Sequence, residues 1–357
     1  MKTSLMKAVR AMNQAIPNIS TQNICLVTVT YGDRFDLLER VIEAASKNGV
    51  SKSFVVSNKA ESNSLKHLRT LEAESKGSIQ VIYLPENIGS AGGYKTGLEK
   101  AANCPDCDFI WLLDDDNQPR ENALDQLLKY YQELSKTFLP EQFSLLSLRE
   151  DREQLKKAAK IVDAYKLFPR TSSFLGFHVL DLPRKVMKAL YSKNIDKILE
   201  SPNSAVEIPF GPYGGLFFHK TLLKEIGYPD QRFFVYADDT EFTYRLTKTG
   251  KKLFLIPSST IQDIDNSWHI KVKGSHFEQL LLGDSDFRIY FSVRNQAYVD
   301  RYVWLKNYVI YTINKLIFLS LLGFFAYIVH KKPERFALIY KAIGDGERQQ
   351  LGVKQNW

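Results

Sequence analysis

Residues 109–116 read Phe-Ile-Trp-Leu-Leu-Asp-Asp-Asp, five apolar residues followed directly by three aspartates. A short, fully apolar run is typical of a strand that is buried on both faces, as in a parallel sheet. In sheets built from alternating strands and helices, ligands bind at the carboxyl ends of the strands. The stretch therefore predicts a buried strand with Asp114, Asp115 and Asp116 at its functional end.

The chain before this stretch repeats the same pattern. Apolar runs predict three further strands, and amphipathic segments between the runs predict helices. The strands are expected at 24–29, 53–57 and 79–84, and the helices at 34–47, 63–75 and 94–102. Such alternation predicts an α/β fold with a doubly wound, mostly parallel sheet.

The chain after the aspartates is less regular. A helix is expected near 122–135, an exposed charged stretch at 150–160, and further strands and helices from about 210 to 256. From about residue 284 the sequence is aromatic, basic and helical. We expect three parts: a basic N-terminal segment (1–20), the α/β domain (21–283) and a helical, membrane-associated C-terminal region (284–357).

The composition is that of a globular protein. The 357 residues are 44% hydrophobic, which is enough for a packed core and excludes disorder for most of the chain. The chain has 3 cysteines, too few to build a secreted fold on disulfides. The first twenty residues contain no apolar run of the kind a signal peptide needs, so we expect the main body in the cytoplasm.

The net charge of +8 suggests an anionic partner. The basic residues of the C-terminal region flank the nearly continuous apolar segment 308–329, which favours a lipid surface over nucleic acid. Both flanks are basic, so charge gives no clear orientation for a spanning helix. We therefore favour attachment within the cytoplasmic membrane interface, with a true span, or burial against this domain or a second subunit, as alternatives.

The aspartate triplet has two interpretations. Three adjacent carboxylates repel one another, and a divalent cation held together with a nucleotide diphosphate would relieve this repulsion. Alternatively, the triplet is a solvated turn that caps the following helix.

A second acidic group, Asp238, Asp239 and Glu241, follows an aromatic run. Asp238 and Glu241 have a spacing like that of a capping box, and Glu241 is four residues before Arg245. Asp239 has no such structural role. A carboxylate at a helix start can serve as a general base towards a sugar hydroxyl.

Two glycine-rich segments accompany these acids. Residues 87–93, with Asn87, Gly92 and Gly93, open a helix and would let a nucleotide approach the backbone. Residues 211–215, with Gly214, could do the same for an acceptor or a diphosphate. In both places an ordinary turn or loop is the alternative.

These segments in this order resemble the inverting glycosyltransferases of family two, which have the GT-A fold. The resemblance covers about residues 23–350 and is closest to bacterial galactofuranosyltransferases and rhamnosyltransferases. The segments that carry it are LVTVTYGDR (26–34), NIGSAGGYKTGLEKA (87–101), WLLDDD (111–116), the long block 211–259, RIYFSVRNQAY (288–298) and AIGDGERQQLG (342–352).

The resemblance implies roles for single residues. Asp239 would be the catalytic base. Asp114 and Asp116 would bind the metal ion and the diphosphate, and Asp115 would lie near the ribose. Thr30 and Asn58 would line the nucleoside pocket. The acceptor would be bound by Asp238, Glu241, Gly214 and Trp268. Family members often place a metal-binding histidine after the strand that is expected to end near Ile261. Here either Asp263 replaces it or His269 supplies it, and we slightly favour Asp263.

The function implied by the resemblance is transfer of a sugar, with inversion, from a nucleotide-sugar donor to a lipid-linked oligosaccharide acceptor of bacterial cell-surface polysaccharide synthesis. The expected cofactor is Mn²⁺ or Mg²⁺, and the expected location is the cytoplasmic face of the membrane. UDP-galactofuranose is the preferred donor, with dTDP-rhamnose as the alternative. A non-catalytic protein that binds a membrane or nucleic acid is the alternative of another class, and a homo-oligomer is left open.

Overall fold

The structure is a computed structural model that describes residues 23–182, 204–265, 274–283 and 285–353. The basic N-terminal segment 1–20 and the two candidate residues Trp268 and His269 lie outside the described residues.

Nine strands of the described chain form a single sheet. Their order across the sheet is β3-β2-β1-β4-β8-β6-β9-β5, and β7 pairs with β9. The strands are β1 (Ile24–Gly32), β2 (Lys52–Ala60), β3 (Ile79–Leu84), β4 (Phe109–Leu112), β5 (Asn117–Pro119), β6 (Phe143–Arg149), β7 (Val206–Glu207), β8 (Leu216–His219) and β9 (Lys252–Asp263).

The predicted α/β class is confirmed, but the sheet is mixed. The half that contains β3, β2, β1 and β4 is parallel, as the alternation of strands and helices predicts. β8 is inserted antiparallel between β4 and β6, and β5 and β7 run antiparallel to β9. Strand β6 lies in a part of the sequence where no strand was predicted.

Helices cover both faces of the sheet. They are α1 (Phe35–Lys47), α2 (Ser62–Glu74), α3 (Gly89–Ala102), α4 (Ala123–Leu134), α5 (Glu153–Ala158), α6 (Leu222–Ile226) and α7 (Asp238–Lys248). Alternate residues of β1 point to opposite faces: Leu26 packs in the same cluster as α1 and α4, and Val27 packs with α3 and α7. The two buried layers hold the carboxyl ends of the central strands in fixed positions beneath the candidate site.

The C-terminal region is helical, as the sequence predicts. It comprises α8 (His276–Leu282), α9 (Asp286–Tyr298), α10 (Tyr308–Phe324) and α11 (Pro333–Glu347), with π-helical turns after α9 and α10. Gly346 permits the close approach of α11 to α9, because a Cβ there would lie 2.1 Å from the carbonyl oxygen of Arg294.

The segment Tyr308–Val329 is 22 residues long, and by length and composition it is compatible with crossing a membrane. One side of this helix is buried against the protein through Tyr311, Asn314, Phe318 and Leu322. These positions recur every three or four residues, so the buried side runs along the helix. The helix therefore lies along the protein and does not project from it.

Candidate active site

The aspartate triplet lies in the turn between β4 and β5. Asp115 is buried, whereas the side chains of Asp114 and Asp116 are partly exposed. Helix α4 begins only at Ala123, with Asn122 as its N-cap residue. The triplet therefore lies in a turn, as the alternative interpretation has it, but does not cap that helix.

Arg34, directly before α1, joins three of the carboxylates around the triplet. Its Nε lies 3.0 Å from Oδ2 of Asp115, its Nη2 2.8 Å from Oδ2 of Asp116, and its Nη1 2.6 Å from Oδ2 of Asp265. Burial alone would lower the pKa of Arg34, but the hydrogen bonds and charges of these carboxylates raise it above its usual value. The guanidinium therefore stays charged and compensates part of the negative charge.

Arg149, at the end of β6, forms ion pairs with carboxylates on the other side of the triplet. The residue is 2% exposed. Its Nη1 lies 3.1 Å from Oδ2 of Asp114, its Nη2 3.2 Å from Oδ2 of Asp263, and its Nε 3.1 Å from Oδ1 of Asp151. Asp263 is thereby placed beside the triplet, where β9 pairs with β5.

The two arginines leave negative charge uncompensated. Burial, followed by the charges of Asp114, Asp115 and Asp263, raises the pKa of Asp116 to about 8. A divalent cation would relieve this repulsion, and carboxylate oxygens are suitable ligands for Mg²⁺ or Mn²⁺. Within the described residues, however, no group of three or more acidic, histidine or cysteine side chains surrounds one point.

The second acidic group begins helix α7. Asp238 is 3% exposed and accepts a hydrogen bond of 2.9 Å from the hydroxyl of Ser90. Burial, and then the charge of Asp239, raises the pKa of Asp238 to about 8. The N-cap residue of α7 is Ala237, which makes no side-chain capping bond. The capping-box interpretation of Asp238 and Glu241 is therefore wrong.

Asp239 is partly exposed, and one of its carboxylate oxygens is hydrogen-bonded within its own helix. Its Oδ1 accepts a hydrogen bond of 2.6 Å from the backbone N–H of Thr240. Burial raises the pKa of Asp239, and the charge of Asp114 raises it further. The two acidic groups are thus close enough to interact electrostatically.

Glu241 forms the expected ion pair with Arg245, at 2.9 Å. Its second carboxylate oxygen, Oε2, is buried without a hydrogen-bond partner among the described residues. Burial raises the pKa of Glu241.

One turn of helix α3 joins the two acidic groups. Ser90 bonds to Asp238, and four residues later the hydroxyl of Tyr94 donates to Oδ1 of Asp114 at 2.6 Å. Residues four apart lie on the same face of a helix. Burial raises the pKa of Tyr94 well above its usual value, so this hydroxyl keeps its proton and remains a donor. The triplet and the acidic pair therefore both lie beside this one turn of α3.

Gly214 lies beside the triplet. A Cβ at this position would be 2.8 Å from Oδ2 of Asp114 and 1.9 Å from Oδ1 of Asn117, so no larger side chain fits. The neighbouring Tyr213 packs against Tyr94, with ring centroids 4.3 Å apart. The charges of Asp238 and Asp239 contribute to the raised pKa of Tyr213, after burial. Residues 213–214 therefore lie between the two acidic groups.

The candidate nucleoside residues lie at the ends of β1 and β2 and at the start of α3. The amide of Asn58 donates to Oδ1 of Asn87 and to the carbonyl of Gly89, both at 3.0 Å. Thr30, at the end of β1, is 1% exposed, and its side chain lies near Asp115.

Gly92 and Gly93 are buried on the packed side of α3. A Cβ at Gly92 would lie 2.8 Å from the side chain of Ile88, and one at Gly93 would lie 2.6 Å from Val29 of β1. In this structure the two glycines allow close packing of α3. Their predicted contact with a nucleotide stays a prediction.

Arg34 and Arg149 were not identified from the sequence as site residues. Arg34 closes the quoted segment 26–34, and Arg149 follows an apolar run (143–148), so each was visible as a cation at the end of a strand-like pattern. Nothing in the sequence indicated that they would point at the aspartates.

Comparison with known proteins supports the resemblance over part of the chain and shows a shared fold. Residues 25–141 match the family model described as Glycosyl transferase family 2. Residues 1–349 of TarS from S. aureus are similar in fold, with a TM-score of 0.51 at 12% identity, over 92% of this chain and 82% of that one. The same segment in complex with UDP-GlcNAc gives a TM-score of 0.51 at 15% identity, over 91% and 80%.

A structure of GalNAc-T7 with UDP, GalNAc and Mn²⁺ gives a TM-score of 0.49 at 12% identity. It covers 88% of this chain, which spans only 57% of that one. No curated protein sequence matches the chain. The protein therefore has the GT-A fold. The match over residues 25–141 supports, for that part of the chain, the resemblance to family-two glycosyltransferases.

Proposed function

We propose that the protein is an inverting glycosyltransferase that uses a nucleoside diphosphate sugar. The observation that carries the proposal is the single turn of α3 that bonds Asp238 through Ser90 and Asp114 through Tyr94. In the proposed cleft, carboxylates suited to a cation would stand beside a second acidic group of raised pKa. This combination serves a reaction in which a diphosphate leaves and an alcohol attacks.

Asp239 is the proposed catalytic base. It is the partly exposed member of its acidic pair, and a raised pKa makes its carboxylate a stronger proton acceptor than an ordinary aspartate. It would take the proton of the acceptor hydroxyl while that oxygen attacks the anomeric carbon from the face opposite the diphosphate. Asp238, Glu241 and Gly214 would line the acceptor side of the cleft.

The donor would lie along the ends of β1, β2 and β4. Thr30, Asn58 and Asn87 would contact the nucleoside, and Asp115 would lie near the ribose. Asp114 and Asp116 would hold Mn²⁺ or Mg²⁺, with Asp263 at hand beside them. When bound, the cation would stabilise the negative charge of the leaving diphosphate. Arg34 and Arg149 keep the surrounding carboxylates in place.

We propose UDP-galactofuranose as the donor sugar nucleotide and a lipid-linked glycan as the acceptor, with dTDP-rhamnose as the second candidate donor. These choices rest on the segments 87–101, 111–116 and 211–259, which resemble galactofuranosyltransferases and rhamnosyltransferases. The exposed side of α10 supports a membrane-linked acceptor. It carries Val309, Ile313, Leu316 and Phe324, and it continues into Tyr327 and Ile328.

We also propose that α10 lies in the cytoplasmic membrane interface. The side opposite these apolar residues is fixed to the protein: Asn314 donates to the carbonyl of Ser172 at 2.8 Å, and Lys315 is 2.5 Å from Glu347. A helix held along its length in this way can rest on a membrane with its free side, which fits interfacial attachment better than a span.

A donor screen tests the function. Purified protein is incubated with Mn²⁺ or Mg²⁺, a lipid-linked acceptor, and either UDP-galactofuranose or dTDP-rhamnose. The wild-type protein should transfer one of the two sugars. Asp239→Asn should bind the donor but lose about 10²–10⁴-fold in turnover, because it lacks the base. Asp116→Ala should lose the metal dependence of donor binding.

Asp125→Asn is a suitable control, because Asp125 lies in the first turn of α4 and takes no part in the cleft. It should retain wild-type turnover. Full turnover in Asp239→Asn would remove this residue from the mechanism, and absence of transfer from every donor would refute the proposed activity.

A further inference from the structure

The segment directly before the acidic pair, residues 233–237, has an unusual backbone. Phe234, Tyr236 and Ala237 have φ values of 67°, 68° and 60°. Non-glycine residues rarely adopt this left-handed region, and they do so where the surroundings enforce it. The segment leads straight into Asp238 and Asp239, so whatever enforces its conformation also determines where these carboxylates lie.

Asn295, on helix α9 of the C-terminal region, is the main partner of this segment. The residue is fully buried. Its amide nitrogen lies 2.9 Å from the carbonyl oxygen of Phe233, 2.7 Å from that of Val235 and 2.9 Å from that of Tyr236. One amide group thus lies within hydrogen-bond distance of three carbonyl oxygens of the segment.

Arg294 fixes the orientation of this amide. Its Nε donates to Oδ1 of Asn295 at 2.9 Å. A guanidinium nitrogen can only donate, so the amide oxygen must face Arg294 and the amide nitrogen must face the segment. Arg294 also donates to the carbonyls of Phe233, at 3.0 Å, and Gly352, at 2.6 Å.

The segment is held from the opposite side by helix α3. The carbonyl of Phe234 accepts a bond of 3.1 Å from the N–H of Ala91. Gly89 is required here, because a Cβ at this position would lie 1.9 Å from the same carbonyl oxygen. The 233–237 segment is therefore held between the proposed donor side and the C-terminal helical region.

We propose that Asn295, oriented by Arg294, is a positioning residue for glycosyl transfer: it holds the 233–237 segment so that Asp238 and Asp239 face the cleft. The C-terminal helical region is then part of the catalytic unit as well as a candidate membrane contact. This inference rests on the proposed function, since it assigns Asp239 the role of base. It also makes a structural prediction that is independent of any substrate.

The test compares Asn295→Ala and Asn295→Asp with a matched control. The aspartate is nearly isosteric, but it puts an oxygen in place of the amide nitrogen and so repels the three carbonyls. Asn314→Ala removes another fully buried asparagine of the same helical region, whose amide bonds to Ser172 and Val179. It makes no contact with the 233–237 segment.

The expected result is a split between turnover and donor binding. Both Asn295 variants should lose about 10²-fold in kcat, as expected when a catalytic group is displaced by about 1 Å. The Kd for UDP with Mn²⁺ should stay at the wild-type value. In hydrogen-exchange mass spectrometry, peptides covering 233–241 should exchange faster in Asn295→Ala and at the wild-type rate in Asn314→Ala.

Several results would overturn the inference. These are wild-type kcat in the Asn295 variants, an equal loss of kcat in Asn314→Ala, or unchanged exchange of 233–241. If wild-type protein transfers no sugar, the proposed function fails, and the exchange experiment still decides whether Asn295 holds the segment.

Discussion

The charge around Asp239 sets the pH at which this carboxylate can act. Burial and the charge of Asp114 raise its pKa, whereas the nearby guanidinium of Arg152 lowers it. A base must be deprotonated, so activity should fall as the pH drops through this raised pKa. The acid limb of kcat/KM should therefore lie above the ordinary pKa of an aspartate.

Replacing Arg152 tests this electrostatic account. Arg152→Gln removes a positive charge that favours the ionised base, so the acid limb should move to higher pH by a fraction of a unit, as expected for a half-exposed charge. Arg120→Gln is the matched control, because both arginines are 51% exposed and each pairs with one acidic neighbour. Identical pH profiles of kcat/KM for the two variants would contradict the assignment of Asp239.

Among the single residues of the site, the acidic side chains could be predicted from the sequence better than the arginines that bind to them. Asp114 and Asp116 could be placed because they follow an apolar strand, and strand ends form the functional edge of such sheets. Arg34 and Arg149 are remote from them in sequence, and no periodicity indicates the direction of a long side chain. Their ion pairs with the triplet therefore emerge only from the three-dimensional structure.

Among the elements, helix α3 has the greatest influence on the site, because it carries both Ser90 and Tyr94. It packs tightly on β1: a Cβ at Gly93 would lie 2.6 Å from Val29, a stiff β-branched residue. Gly93→Ala should therefore destabilise the protein by about 1–3 kcal/mol. Urea unfolding measures this change.

Two further variants make this prediction specific. Gly323→Ala, in helix α10, places a methyl group in ordinary contact with Phe336, at 3.6 Å, and should not lower stability. Val29→Ala combined with Gly93→Ala should recover part of the loss, because the smaller side chain makes room for the new methyl group. Equal stability of Gly93→Ala and wild-type protein would show that α3 can shift freely.

The elements themselves were predicted unevenly. The first four strands and the helices between them were predicted, since the strands are short apolar runs and the segments between them are amphipathic. Strand β6 was missed because it follows an irregular connection and contains Ser144 and Ser147, both buried in the structure. Helix α7 begins at Asp238 and follows the strained 233–237 segment without a capping side chain, so the capping-box spacing misplaced its start.

For the whole molecule, the arrangement of parts depends on contacts that no local pattern records. Alternating strands and helices suggested a mostly parallel sheet, yet β8 lies antiparallel between β4 and β6. This insertion brings the segment that contains Gly214 next to the triplet. The long-range pairing of β8 thus completes a site whose individual residues the sequence could suggest.

The free side of α10 makes a prediction about the complete protein. Leu316 and Phe324 are 61% and 54% exposed, so their replacement should leave the fold intact. If this side enters a membrane interface, Leu316→Gln with Phe324→Gln should weaken binding to anionic phospholipid vesicles at least about tenfold, as judged from the free energy of burying such side chains. Vesicle flotation measures this.

Val162→Gln is the control for this experiment, since Val162 is 74% exposed and lies in the α/β domain. Unchanged flotation of the double variant would refute interfacial binding by this side of the helix. Retention of the wild-type protein in the membrane after alkaline carbonate extraction would instead favour a true span.

The bond between Arg294 and the carbonyl of Gly352 has a consequence for biosynthesis. The ribosome makes Asp239 long before it makes Asn295, and it makes Gly352 later still. If these late residues hold the 233–237 segment as proposed, a nascent chain that already contains Asp238 and Asp239 has only a small part of its activity. Full activity then develops only when the residues up to 352 have left the exit tunnel.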